Sequence, residues 1–136
     1  MRIPLLALAL WGVAAAGHAQ MPYPPESRWG TLPRLVLKPG FKPSTSWIKK
    51  AQQLDQSGQC RFPPKRPGWT QVDIPFAVQL SARGQIQAVK VGTTGCPELE
   101  TYVAGMVRRI GAKQIVPPKG APPYWRGSRF VAGWQH

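Results

Sequence analysis

Few residues in this chain are equipped for bond-making chemistry. Histidine occurs twice, as His18 within an apolar N-terminal stretch and as His136 at the last position. With neither on a rigid internal element, no Ser/His/Asp or Cys/His relay can be assembled. The 5 carboxylates are also badly placed for paired acid–base work. Glu26, Asp55, Glu98 and Glu100 fall on expected loop or helix surfaces, and Asp73 on an expected strand. Two cysteines at long spacing and a terminal His make a poor zinc set. The residues therefore predict no catalytic centre, no metal and no cofactor: a binding or structural protein, not an enzyme.

The start of the chain sets the compartment. Met1-Arg2 precedes an apolar run of 14 residues, Ile3 to Ala16, and Gly17-His18-Ala19 supplies the small residues a signal peptidase reads. A bilayer core needs about 20 apolar residues, so the run reads as a cleavable secretory signal, residues 1–19, cut near Ala19 and Gln20. The alternative it leaves open is an uncleaved inner-membrane anchor. Export to the periplasm changes how Cys60 and Cys96 read. In an oxidising compartment they form a disulfide, with two buried thiols as the alternative.

Charge narrows the partners. Lys and Arg number 18 against 5 Asp and Glu, for a net +13. Such a chain is drawn to anionic lipid, acidic wall polymers or acidic partner segments. The cations stand singly or in pairs, and the aromatics do not interleave with them as in RNA-binding signatures, which argues against nucleic acid.

The elements that must position any site centre on a hairpin. Val72, Ile74, Phe76, Val78 and Leu80 fall on every second residue, one face of a strand. Ser81 to Gly84 is a turn with glycine where a positive φ is needed. Ile86, Ala88, Val89 and Val91 continue as a second strand, with a phase change between Ala88 and Val89 that a bulge would produce. Antiparallel strands return the chain to its starting level, which brings Cys96 towards Cys60. Pro97 then opens a helix to about Ile110, with Leu99, Tyr102, Val103, Met106, Val107 and Ile110 stepping at threes and fours. Glu98 and Glu100 near its start, and Arg108 and Arg109 near its end, complement its dipole. Upstream, Ser44-Thr45-Ser46 caps a second, shorter helix whose apolar stripe is Trp47, Ile48, Ala51 and Leu54, stopped by Gly58. Residues 20–43 are Pro-rich and irregular. A last strand, Ser128 to Trp134, places Phe130, Ala132 and Trp134 on one side. The fold class is α+β: a small three-stranded antiparallel sheet backed by one main helix, with a Pro-rich extension and an extra short helix. The expected organisation is a leader (1–19), the extension (20–59) and the sheet domain (60–136).

Four motifs in this order resemble the C-terminal domain of TonB-type energy transducers. They are the aromatic–Pro step Phe62-Pro63, the turn and strand Gly84-Gln85-Ile86-Gln87-Ala88-Val89-Lys90-Val91, the turn Thr93-Thr94-Gly95 into the helix, and Ile115-Val116-Pro117 after it. The similarity covers Cys60 to Trp134. Pro67 interrupts the family's short first helix, and Pro75 stands in a strand the family places centrally, where it would remove a ladder bond. An uncleaved anchor and a long Pro-Lys/Pro-Glu linker are not seen, so coupling to a proton-driven motor is not expected.

The resemblance implies binding by strand addition, in which an extended segment of an outer-membrane TonB-dependent transporter, or another envelope protein, pairs with an open sheet edge. That edge would be Ser128, Arg129, Phe130, Val131 and Ala132, with Phe130 and Val131 nearest the partner and Arg126 and Arg129 favouring an acidic flank. The competing expectation is that the Pro-rich segment caps the edge. A second reading needs no strand addition: a cationic envelope protein that uses its basic surface on anionic lipid or wall polymer.

Overall fold

The computed structural model describes residues 23–135. The expected leader, its cleavage point and His136 lie outside the described residues. The architecture is α+β, with an antiparallel sheet of four strands and helices packed on one face.

The sheet is built on β2, Trp69–Leu80. Thr70, Val72, Ile74, Phe76, Val78 and Leu80 alternate along it and are all buried on the helix side. The chain reverses at Gly84, whose φ of +82° suits glycine. The Ser81 hydroxyl accepts the amides of Arg83 and Gln85 at 3.3 and 3.1 Å, which fixes the turn. β3, Ile86–Val91, then pairs back on β2. Gln79 faces Ala88 and Leu80 faces Ile86, so Gln87 is the extra residue of a bulge. It falls one step before the expected Ala88/Val89 phase change, and it brings Ile86, Val89 and Val91 onto one face.

β4, Tyr124–Gln135, pairs with β2 along its whole length, from Trp69 opposite Gln135 to Leu80 opposite Tyr124. It therefore begins four residues before the expected Ser128. A short strand the sequence did not suggest, β1 (Pro64–Arg66), pairs with the start of β2 on the side that β3 occupies further along. Pro75 does not displace β2 from the centre. Its carbonyl accepts the Gly92 amide at 2.7 Å, so its ring nitrogen faces the same side, where β3 has just ended. The missing N–H therefore falls where no strand needs it, and pairing with β4 runs through Pro75 opposite Arg129 unbroken.

Two helices cover the front of the sheet. α2, Pro97–Arg108, starts on proline and buries Leu99, Val103 and Val107. Glu100 anchors its entry by accepting the Thr94 amide and hydroxyl at 3.2 and 3.0 Å. α1, Ser46–Gln56, buries Trp47, Ala51 and Leu54, and the Tyr102 hydroxyl of α2 donates to Ser46 Oγ at 2.7 Å. Leu35, Trp47, Ala51 and Leu54 share one core with the hairpin and α2, so the core runs across the expected boundary at 59/60. The Cys60–Cys96 disulfide joins the lead-in of β2 to the start of α2, with Cα atoms 5.5 Å apart and both residues buried. Its separation of 36 residues corresponds to roughly 3–4 kcal/mol of unfolded-state restriction in the chain-entropy treatment.

The Pro-rich segment is a strap around the sheet. Its 3-10 turn, Glu26–Thr31, lies on the back face, where Trp29 is 5% exposed and donates its indole N–H to Pro24 O at 2.7 Å. The Tyr23 ring packs on Trp125 at 4.6 Å, and the Glu26 carboxylate accepts the Thr93 amide at 3.1 Å. The strap then rounds the border of β4 at Gly127, reaches the front core with Leu35, and pairs Leu37 with Ile115.

Candidate functional site

The outer border of β4 is divided. At Gly127 it is occupied by the protein's own chain: Gly127 N–H donates to Pro33 O at 3.0 Å, and Leu35 N–H donates to Gly127 O at 3.1 Å. Backbone groups alternate sides along a strand, so those of Arg129, Val131 and Gly133 point the same way as Gly127. Among the described residues no backbone group bonds to them. The border is thus latched to the strap at Gly127, and beyond that point Arg129, Val131 and Gly133 present three N–H and C=O pairs outward.

The strand's alternation decides what its side chains can do. Phe130 faces the helices, half-buried and stacked on Phe76 with centroids 5.0 Å apart and 5.7 Å from Trp47, so its ring packs against the core on the front and not on the open border. Ala132 and Trp134 follow it inward, and the Phe62 edge meets the Trp134 ring at 6.1 Å. Val131 points to the back and is 48% exposed. Arg129 lies beside it and pairs with Asp73 across the strands at 3.1 Å, with both side chains largely in solvent. Ser128 is half-buried where the strap departs.

Arg126 does not flank the bare half. Its guanidinium donates to Trp125 O at 2.9 Å and lies 5.9 Å from the Tyr124 ring, towards the hairpin-turn end of the sheet. The sequence missed Gly133, which continues the outward parity of Val131, and Asp73, which places an acid beside the border. Gly133 also lets the Trp69 ring lie flat across β4: a Cβ there would collide with the indole. Arg66 stacks over the same ring at 5.4 Å.

Two other features lie away from this border. A groove of about 480 Å³ runs between α2 and the loop before α1, lined by Phe41, Tyr102, Met106 and Ile110 with Phe130 as part of its wall. Lys42 and Arg109 sit at its rim. The Cys60 and Cys96 sulfurs and the Glu98 carboxylate lie within 4.8 Å of one another. Both sulfurs are consumed by the disulfide, which leaves one carboxylate and no basis for metal chelation. The remaining acids are dispersed, with Glu26 on Thr93, Glu100 on Thr94 and Asp73 on Arg129.

No described helix is long and apolar enough to cross a membrane. Compared with family models, curated proteins and solved structures, the chain has no match in any of the three.

Proposed function

We propose that the protein is an exported, non-enzymatic binding module that takes up an extended peptide by strand addition at Arg129, Val131 and Gly133. Its partner is an envelope protein, with an outer-membrane TonB-dependent transporter as the leading class. One observation carries the reading: a strand paired along its full length on one side has, on the other, three outward backbone pairs with no backbone partner among the described residues, next to exposed Val131. A peptide laid there gains main-chain hydrogen bonds at once, and Val131 and the Trp69 ring offer it apolar contact on the back. Arg129, in place of Arg126, supplies the cationic flank.

Titrating a transporter's N-terminal peptide into the labelled protein tests this. The amides of Arg129, Val131 and Gly133 should shift together, and that of Gly127 should move least. No shift at millimolar peptide overturns the reading. A second reading, a cationic interaction protein of the cell envelope, is favoured by a different observation. Among the described residues one ion pair, Arg129–Asp73, stands against a surface on which nearly every Lys and Arg is exposed.

A further inference from the structure

The charge of this protein is not spread evenly over its length. At one end of the sheet lie the β2–β3 turn and the segment that follows α2. A Cβ on Gly84 would sit 3.5 Å from Ile115, which pairs with Leu37 of the strap. The Val116 amide donates to Val36 O at 2.9 Å, and the Lys38 amide donates to Gln114 O at 2.8 Å. These contacts gather Arg34, Lys38, Arg83, Lys113 and Lys119, all exposed, onto one end of the molecule. Arg126 joins them from β4, lining a shallow depression with Arg34, Lys119, Val36 and Val116.

None of the 5 carboxylates is there. Glu26 and Glu100 are bonded to Thr93 and Thr94, and Glu98 adjoins Cys96, where β3 has run out at the far end. Asp73 lies midway along β2, and Asp55 borders the loop that leads to Cys60. The cationic end also carries two of the protein's exposed large apolar residues, Val36 at 53% and Val116 at 36%, side by side and followed by Pro117-Pro118. Cations alone would suit any polyanion. Cations ringing bare valines suit an interface that is anionic at its surface and apolar just beneath it.

We propose that this end of the protein is a docking face for an anionic lipid bilayer, with Val36 and Val116 entering the interface and Arg34, Lys38, Arg83, Lys113 and Lys119 reaching the head groups. It rests on the cationic reading given above and is independent of strand addition at β4. The bare half of β4 lies beyond Gly127 from this end, so a docked molecule would keep that border accessible to a peptide.

The test is co-sedimentation of the full chain with vesicles of phosphatidylcholine alone or with phosphatidylglycerol added. Neutral vesicles set the baseline contributed by the apolar Ile3–Ala16 run, and the phosphatidylglycerol-dependent increment is the readout. Each cation near an anionic surface contributes about fivefold, so Arg34→Gln/Lys38→Gln/Lys119→Gln should lower that increment about hundredfold. Lys49→Gln/Arg61→Gln/Lys65→Gln, with the same loss of net charge away from this end, should lower it less than about fivefold. Val36→Ser/Val116→Ser should lower vesicle binding about tenfold and leave any binding to wall sacculi unchanged. Equal losses in the two charge variants overturn the proposal and leave the cationic reading standing. Binding to sacculi without vesicle binding overturns the lipid assignment, and binding to neither overturns both.

Discussion

The two halves of β4 share one backbone ladder to β2 and differ in almost everything else. From Tyr124 to Gly127 the strand is sandwiched: Trp125 lies under Tyr23, Gly127 bonds to the strap, and Trp29 closes the back. From Arg129 to Gly133 the same border has no backbone partner among the described residues, and the back face carries a solvent-exposed ion pair and a bare valine. An exposed edge is an aggregation hazard that proteins usually blunt. Here the blunting stops halfway, although the strap has residues enough to continue. It turns to the front at Leu35 instead, where that side chain enters the core. The difference teaches that the strap's latch is specific to one half, and that the open half has a charge pair and a glycine covered by the Trp69 ring as protection.

The largest expected effect comes from removing the anchor of the capped half. Trp29→Ala deletes a nearly buried indole and its bond to Pro24, and should cost about 3 kcal/mol in chemical denaturation. If the strap is what distinguishes the halves, hydrogen exchange at Gly127 should then rise to the rate found at Val131. Unchanged protection at Gly127 would mean that Pro33 and Leu35 hold the border without Trp29.

Gly127→Ala attacks the same latch from the strand. The new methyl would stand 2.7 Å from Trp29 O, a backbone atom that cannot swing aside. Displacing the strap should cost about 1–3 kcal/mol, read from the same denaturation curves. It should also extend peptide-induced amide shifts from the bare half into residue 127. A variant as stable as the parent would show that the strap gives way at little cost.

What could be read beforehand, and what could not, follows the same division. β2 and α2 were legible because their apolar residues repeat at periods of 2 and 3.6, and a local pattern records which side faces the core. The disulfide was legible because export favours pairing and the hairpin turns the chain back towards Cys60, although β3 stops opposite Phe76 and the approach of Cys96 is completed by the turn into α2. The strap was not. Its pairing with Gly127 is a parallel bridge between residues about 90 positions apart, made by a Pro-rich segment with no period of its own. Phe130 shows a subtler limit: alternation put it with Ala132 and Trp134, but only the position of Trp47 on α1 says that this side is the interior. Pro75 reads as a defect in one dimension and is harmless in three, since β3 ends beside it.

On the open half, Val131→Pro separates edge from fold. The amide it deletes points away from β2, so the ladder survives and stability should change by about 1 kcal/mol or less. Peptide affinity should fall at least about tenfold, since one of the donors that a docked strand requires is gone. An affinity equal to the parent's would place the peptide elsewhere, with the apolar groove beside α2 the next surface to probe by Met106→Lys.

The smallest effect is expected at the ion pair that guards the open half. Asp73 and Arg129 stand directly off register across β2 and β4, with side chains 42% and 55% exposed. An exposed pair of this kind is worth about 0–1 kcal/mol, and Arg129→Ala should shift the denaturation midpoint barely at all. Its consequence belongs to binding. Without its partner, Asp73 adds an uncompensated negative charge beside the border, so a peptide with acidic residues should bind more weakly to Arg129→Ala than to the parent. Asp73→Asn frees the guanidinium and should strengthen the same peptide, and added salt should erase both differences. Identical affinities across the three proteins at low salt would mean that the open half is read through its backbone alone.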